Sequence, residues 1–227
     1  AYDVATATLG STTLALGNVR TLATGNVGLT NTVLTGGNAT YQDNLNVVAT
    51  STNAKLSFAN PANLVAGNSG NVVVTAASAG SLTGTANLAL TSKVLAGTTG
   101  LNDVALAGQT VAVTGAAYDY GNAVIADTTV AFGNIHLGSA VVTRNLSVAN
   151  TTITSATYQD NLTATATAVT GLSVNTLSEM VAGSSGNLVF SASSAAAGSL
   201  AGSVNFSLNS TNTVSGLDAT ALTTTAN

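Results

Sequence analysis

Apolar and polar residues alternate along most of this chain, as in β-strands whose alternate side chains enter a core. Thr and Val are frequent in these stretches, and their branched Cβ atoms suit a pleated strand better than a helix. Gly and Asn clusters, which tolerate the positive φ of tight turns, separate the stretches. The predicted strands are residues 13–16, 25–30, 45–50, 55–58, 71–76, 84–92 and 109–114 in the first half, and 129–132, 141–150, 162–167, 172–174, 187–192 and 202–209 in the second.

The two halves of the chain are copies of one module. The segment AYD at residues 1–3 recurs at 117–119, and YQDNL at 41–45 recurs at 158–162. The period of about 116 residues is far longer than the 20 to 50 residues of solenoid repeats, so each copy should have its own core. We therefore predict two domains, residues 1–116 and residues 117–227.

The strand pattern indicates an all-β fold. Seven short strands in about 110 residues, separated by turn signals, are typical of an antiparallel sandwich of the immunoglobulin type. The stretch QTVAVTGA at 109–116, which closes the first copy, has no counterpart in the second. We therefore predict two tandem immunoglobulin-like antiparallel β-sandwich domains, the second lacking its last strand.

Composition narrows the classes of partner. Hydrophobic residues make up 45% of the chain, enough for two cores, but charged residues only 5%. The four Lys and Arg residues cannot form the basic surface that nucleic acid or anionic lipid requires. The net charge of −4 gives little repulsion between copies, which favours self-association. The apolar runs are shorter than the ~20 residues of a membrane-spanning helix, so we expect no membrane span.

The start of the chain bears on its location, whereas its cysteine content does not. The chain has no cysteine, so disulfides give no information on the redox compartment. It begins at Ala1 rather than Met, which is typical of a secreted protein after removal of a signal peptide, although a trimmed chain would look the same. We expect secretion.

Several repeated motifs carry a family resemblance. They are GNVR, a strand that ends in TNT, YQDNL, GSLTGTANLALTS, GLNDVALAGQTVAVTGAAYDY and FGNIHLG. With these motifs the chain resembles the repeat modules of bacterial secreted proteins known as choice-of-anchor D domain proteins. The resemblance implies an extracellular or cell-surface location and an immunoglobulin-like fold. It implies no catalytic or binding residues.

The acidic residues of the two YQDN turns, Asp43 and Asp160, are weak candidates for calcium ligands. Calcium takes six to eight oxygen ligands, and a loop carboxylate with Asn and backbone carbonyls could supply several. The alternative is that these side chains cap their own turns. No other metal or cofactor is expected.

Histidine and tyrosine offer two further candidates. His136 is the only histidine, and it aligns with Arg20 of the first copy, so we expect a solvated strand residue rather than a catalytic base. The tyrosines that precede or open the repeated motifs suit a buried sandwich corner, with a sugar-binding aromatic platform as the alternative. They are Tyr2, Tyr41, Tyr118 and Tyr158.

A sandwich without its last strand exposes unpaired backbone groups above its core, and a strand from another chain can cover them. The N-terminal segment alternates without a glycine and is expected to be a strand, whereas its counterpart at 119–123 is interrupted by Gly and Asn and is expected to be only a connector. We therefore predict that one subunit donates this segment to the second domain of the next. The predicted donor residues are Asp3, Val4, Ala5, Thr6, Ala7, Thr8 and Leu9. Alternatively the native chain continues past Asn227, or residues 223–227 form a shortened last strand.

These expectations favour a non-enzymatic extracellular structural protein. It would form a homopolymer, a cell-surface filament or layer assembled head to tail by β-strand complementation. The alternative is a monomeric adhesin stalk or carbohydrate-binding surface module that contacts glycans or a cell surface.

Overall fold

A computed structural model describes residues 1–96, 100–127, 129–167, 169–193 and 197–223. The chain divides into two compact units, Ala1–Ala117 and Tyr118–Asn227, which we call module 1 and module 2. The boundary lies one residue after the predicted one. Both modules consist of β-sheets, which confirms the all-β, immunoglobulin-like fold class. Within the described ranges, no helix has the length and apolar character needed to cross a bilayer.

Module 1 is a two-sheet sandwich. Its strands are β1 Ala7–Leu9, β2 Thr13–Arg20, β3 Thr24–Asn31, β4 Asn44–Ser51, β5 Leu56–Ala59, β6 Ser69–Ala76, β7 Gly80–Ser81, β8 Gly84–Lys93 and β9 Val104–Tyr118. One sheet has the order β1-β3-β6-β5, and the other has the order β2-β9-β8-β4, with β7 paired to β9. These are the two sheets of an immunoglobulin sandwich, in which the last strand lies beside the strand before it.

The last strand of module 1, β9, also lies beside β2. The Ala112 amide donates to the Thr12 carbonyl at 2.8 Å, and three residues later Gly115 lies against Gly17. Both strands therefore run in the same direction, whereas β9 and β8 are antiparallel.

Strand β9 closes the core of module 1. The core cluster contains eighteen buried residues among those described, and three of them, Val111, Val113 and Ala117, come from β9. The two valines are 1% and 0% exposed, and full burial of such a side chain contributes about 1.5–3 kcal/mol. Module 1 therefore depends on β9 for the closure of its core.

Module 2 repeats most of this plan with fewer paired residues. Its strands are β10 Ala123–Ile125, β11 Val142–Asn150, β12 Leu162–Thr167, β13 Leu172–Val174, β14 Leu177–Met180, β15 Ser184–Ala192, β16 Asn205–Ser210 and β17 Thr220–Leu222. The sheet orders are β10-β11-β15-β13 and β14-β12-β16-β17. Its core cluster contains eight buried residues among those described.

Two predictions for module 2 need correction. Its last strand is short rather than missing, because β17 pairs with β16 over three residues, as the start of β9 pairs with β8. The predicted strand at 129–132 is not a strand. Its counterpart in module 1, β2, is held by the second half of β9, and module 2 has no such partner among its described residues. An alternating segment without a neighbour to pair with does not become a strand.

The turn between β2 and β3 carries an unfavourable residue. Leu22 has φ +71°, in the left-handed region, and its side chain is 73% exposed. The same turn in module 2 has Gly138 with φ +75°, and in both turns the fourth residue donates to the first, from Ala23 to Arg20 and from Ser139 to His136. Leu22 therefore occupies a conformation that glycine adopts without strain.

We expect Leu22→Gly to stabilise module 1 by about 0.5–1 kcal/mol. The left-handed conformation costs a side-chain-bearing residue about 1–2 kcal/mol, and the greater freedom of glycine in the unfolded chain offsets about 0.5–1 kcal/mol of the gain. Chemical denaturation would measure the change, with Leu22→Ala as the control that removes the exposed side chain but keeps the strain. A glycine variant less stable than the alanine variant would contradict this expectation.

Candidate functional site

The N-terminal segment, residues 3–9, packs within module 1. Strand β1 pairs with β3, so that Leu9 lies opposite Leu29. The Asp3 amide donates to the Tyr41 carbonyl at 2.8 Å, and Ala5 is 3% exposed within the core. The predicted donor segment is therefore a paired edge strand of its own module, and any transfer to a neighbour would first break these contacts.

The counterpart of this segment in module 2 has the same structure. Strand β10 pairs with β11 as β1 pairs with β3, and Asp119 bridges to Gln159 as Asp3 bridges to Gln42. The prediction that residues 119–123 act only as a connector was therefore wrong. The Gly and Asn there do not prevent pairing, because Gly121 contributes only its backbone and Asn122 adds a side-chain bond to Thr151 at 2.6 Å.

A buried amide ties the start of module 1 to its turns. Asn31 is fully buried, and its Nδ2 donates to the carbonyls of Asp43 and Leu64, both at 2.9 Å. Its Oδ1 accepts from the Thr6 amide at 3.1 Å and from Gln42 Nε2 at 3.0 Å. All four hydrogen-bonding positions of the side chain are thus used. The arrangement fixes the path of the first strand.

Module 2 contains the same contacts around Asn150, which is also fully buried. Its Nδ2 donates to the carbonyls of Asp160 at 3.2 Å and Met180 at 2.8 Å. Its Oδ1 accepts from the Asn122 amide and from Gln159 Nε2, both at 2.8 Å. We call Asn31 and Asn150 the amide pins. Their repetition shows that each module folds around the same buried polar group.

The two calcium candidates are part of these buried contacts. Asp43 Oδ2 accepts from Ser92 Oγ at 2.9 Å, and its Oδ1 is buried with no hydrogen-bond partner among the described residues. Asp160 accepts from the amide and the hydroxyl of Ser215, both at 2.8 Å. No group of three or more His, Cys, Asp or Glu side chains comes together in the described ranges. These contacts join Asp43 and Asp160 to serines 49 and 55 residues further along the chain, and not to the turns in which the aspartates lie, as the capping alternative expected.

Glu179, the only glutamate, lies at the edge of module 2. Its Oε2 accepts from Thr213 Oγ1 at 2.6 Å, Asn161 Nδ2 at 3.0 Å and Thr211 Oγ1 at 3.1 Å. These donors stabilise the ionised form, and the bond from Thr213 contributes most to lowering the pKa of Glu179. The carboxylate is therefore an anchor for the loop after β16 rather than a proton donor.

The repeated tyrosines form ring pairs that are exposed in module 1 and half-buried in module 2, instead of buried corners. Tyr2 and Tyr41 meet edge to face with ring centroids 5.7 Å apart, and they are 43% and 51% exposed. Tyr118 and Tyr158 form the corresponding pair at 5.5 Å. The predicted buried position was wrong, because the 3-10 turn that ends at Tyr41 lies on the surface.

The main difference between the modules is a groove over the core of module 2. Its cavity of about 490 Å³ is lined mostly by apolar side chains, with Leu146 and Phe190 of the buried core at its base. We call it the module 2 groove. The lining residues are Thr129, Val130, Phe132, Leu146, Val169, Leu172, Phe190, Leu200, Ala201, Gly202, Ser203, Val204 and Phe206.

The groove occupies the place that β9 fills in module 1. Phe206 is the counterpart of Leu88, which pairs with Gln109, and Val204 is the counterpart of Ala86, which pairs with Val111. Leu88 and Ala86 are 2% and 1% exposed, whereas their counterparts are half-buried. The side chains that β9 covers in module 1 are thus open to solvent in module 2.

The rim of the groove presents backbone groups as well as side chains. Strand β16 pairs with β12 along its length, but on its other side it pairs with β17 only from Leu208 to Ser210. In the described part of module 2, the stretch Asn205 to Ser207 has no strand on that side. An open strand edge beside an exposed apolar groove is the arrangement that accepts an added β-strand.

Comparisons with known proteins add little. No family model matches the chain, and no curated protein matches it. Among solved structures, the secreted serine protease VesC from Vibrio cholerae aligns with 86% of this chain and 48% of its own, at 15% identity and a TM-score of 0.24. The chain thus spans about half the length of that protein. So low a TM-score supports no argument about fold or activity.

Proposed function

We propose that this chain is a non-enzymatic extracellular structural protein that assembles head to tail into a cell-surface filament or layer. In this assembly, module 2 accepts a β-strand from a neighbouring molecule. The observation that carries the proposal is the module 2 groove, which lies where β9 completes the core of module 1. The low charge of the chain and its resemblance to secreted modules support the location.

The energetics favour occupation of the groove. Each backbone hydrogen bond formed at the open edge of β16 would contribute about 0.5–1.5 kcal/mol net, and the exposed core side chains would gain the stabilisation of burial. A strand that inserts beside β16 would provide both contributions at once. This is strand addition as in donor-strand complementation, in which main-chain hydrogen bonds supply affinity.

The internal repeat indicates how such a contact would propagate. In module 1, β9 completes the core and then leads directly into the AYD opening of module 2 at 117–119. The same AYD opening begins module 1 at 1–3. A neighbour whose N-terminal segment, residues 3–9, entered the module 2 groove would make a head-to-tail contact, and such a contact does not close on itself.

A variant with a self-completed module 2 tests the proposal. In this completed chain, residues 223–227 are replaced by the sequence of residues 107–117, so that β17 can continue as β9 does. We expect the native chain to form large assemblies in size-exclusion chromatography and filaments or sheets in electron micrographs. We expect the completed chain to remain monomeric, because its groove is filled in cis.

The matched control is a completed chain of equal length in which the added copies of Val111 and Val113 are both Asp. It cannot seal an apolar core, so it should assemble like the native chain. A native chain that stays monomeric under the same conditions, or a completed chain that assembles as well as the native one, would contradict the proposal.

The second candidate function is a monomeric adhesin or carbohydrate-binding module. The exposed Tyr2–Tyr41 pair favours it, since exposed tyrosines can contact sugar rings. This candidate predicts a discrete monomer for the native chain in the same chromatography, and binding to a glycan array that Tyr41→Ala abolishes.

A further inference from the structure

We propose that the module 2 groove selects its partner by sequence, and that the partner is an extended segment with the pattern Val-x-Val-x-Gly. The glycine of this segment would cross the backbone at Gly133. This inference rests on the proposed strand acceptance by module 2. The strand that occupies the corresponding place in module 1, β9, has this pattern at residues 111–115.

The inward positions of that strand require apolar side chains. In β9, Val111 and Val113 are buried while Ala112 and Thr114 between them are exposed. In module 2, the side chains around the corresponding places are apolar, including Phe132, Phe190 and Phe206. Polar side chains at these two positions of a partner would be buried without hydrogen-bond partners, which is costly.

The third position requires glycine. Gly115 has φ +146°, which side-chain-bearing residues rarely adopt. A Cβ atom there would lie 2.6 Å from the Gly17 carbonyl oxygen and 3.1 Å from the Gly17 nitrogen. Both of these atoms belong to the backbone, so no side-chain movement relieves the clash.

Module 2 keeps the partner of this close approach. Gly133 is the counterpart of Gly17, and the two residues have φ +69° and +66°. Its neighbours Phe132 and Val130, which line the groove, correspond to Leu16 and Leu14 of β2. A strand that enters the groove in the register of β9, and pairs with residues 129–133 as β9 pairs with β2, would meet the same backbone turn, and only glycine would fit beside it.

The N-terminal segment fits this requirement poorly. If Gly10 took the place of Gly115, Thr8 and Thr6 would take the places of Val113 and Val111. Thr and Val have similar shapes, but the hydroxyl of Thr makes the exchange unfavourable in an apolar core. The groove is therefore expected to prefer a segment like residues 109–117 and to bind residues 3–9 more weakly.

The test uses labelled synthetic peptides and the full-length native chain, diluted until light scattering shows monomers. One peptide has the sequence of residues 109–117, the second has Val in place of Gly115, and the third has the sequence of residues 3–11. Fluorescence anisotropy gives the dissociation constants, and the completed chain, whose groove is filled, serves as the control for binding elsewhere.

We expect the first peptide to bind the native chain and not the completed chain. We expect the valine peptide and the N-terminal peptide to bind roughly tenfold more weakly or worse. Equal binding of all three peptides to the native chain would overturn the sequence selection while leaving strand acceptance intact. Strand acceptance itself would be overturned if the first peptide bound the completed chain as tightly as the native chain, or if no peptide bound the native chain.

Discussion

Module 2 of the completed chain is expected to be more stable than module 2 of the native chain by about 2 kcal/mol or more. The two added valines bury side chains worth about 1.5–3 kcal/mol each. The hydrogen bonds of the added strand to β16 add to this gain, and the backbone entropy lost when the strand becomes ordered offsets part of it. In module 1, where β9 is formed, this balance is favourable.

Differential scanning calorimetry of dilute monomers would measure this effect. A gain of this size should raise the unfolding midpoint of module 2 by roughly 8 °C or more, while the midpoint of module 1 stays unchanged. The aspartate version of the completed chain should show no gain. An unchanged midpoint for module 2 would mean that its core needs no further strand.

Asn31→Leu is expected to destabilise module 1 by roughly 4 kcal/mol or more. The substitution removes four hydrogen bonds at a fully buried site. The Thr6 amide and the Asp43 carbonyl lose the partner that Asn31 provides, whereas Gln42 Nε2 keeps its bond to the Thr32 carbonyl. Each such group costs about 1–3 kcal/mol. This loss is a large part of the 5–15 kcal/mol that typically holds a domain folded.

The repeat provides two matched controls for this substitution. Asn150→Leu should cause the corresponding loss in module 2 and leave module 1 intact. Asn26→Leu, at an exposed position of the same strand as Asn31, should change stability little. Amide hydrogen exchange, read separately for each module, would show these effects. If Asn31→Leu destabilised module 1 no more than Asn26→Leu does, the amide pins would not contribute to stability.

The fold class could be predicted because the alternation of apolar and polar residues reports local geometry. Strand β13 has the predicted bounds, 172–174, and β12 the predicted bounds, 162–167. Strand β12 has a neighbouring strand on each side, and β13 pairs with the long strand β15. In both segments the alternation and the available pairing partner therefore agree. The alternation predicted a strand wrongly at residues 129–132. A strand also needs a pairing partner, which is often far away in sequence and which alternation cannot reveal.

The contacts of the N-terminal segment could not be predicted for a similar reason. Alternation correctly indicated a strand near residues 3–9, but it does not determine which sheet a strand joins. The amide pins were also missed, because asparagine is mostly exposed in proteins. The available signal was the repeat itself, since both pins stand directly before a threonine at the end of aligned strands, in TNT and in ANT.

The parallel arrangement of β2 and β9 has a mechanical consequence. Tension applied to the two ends of module 1 would pull these adjacent strands in opposite directions along their common axis. The load would then act on all hydrogen bonds of the pair together, in shear, rather than unzipping them one at a time. Such a module resists stretching, and a module 2 completed by a strand in the register of β9 would share the same resistance to force.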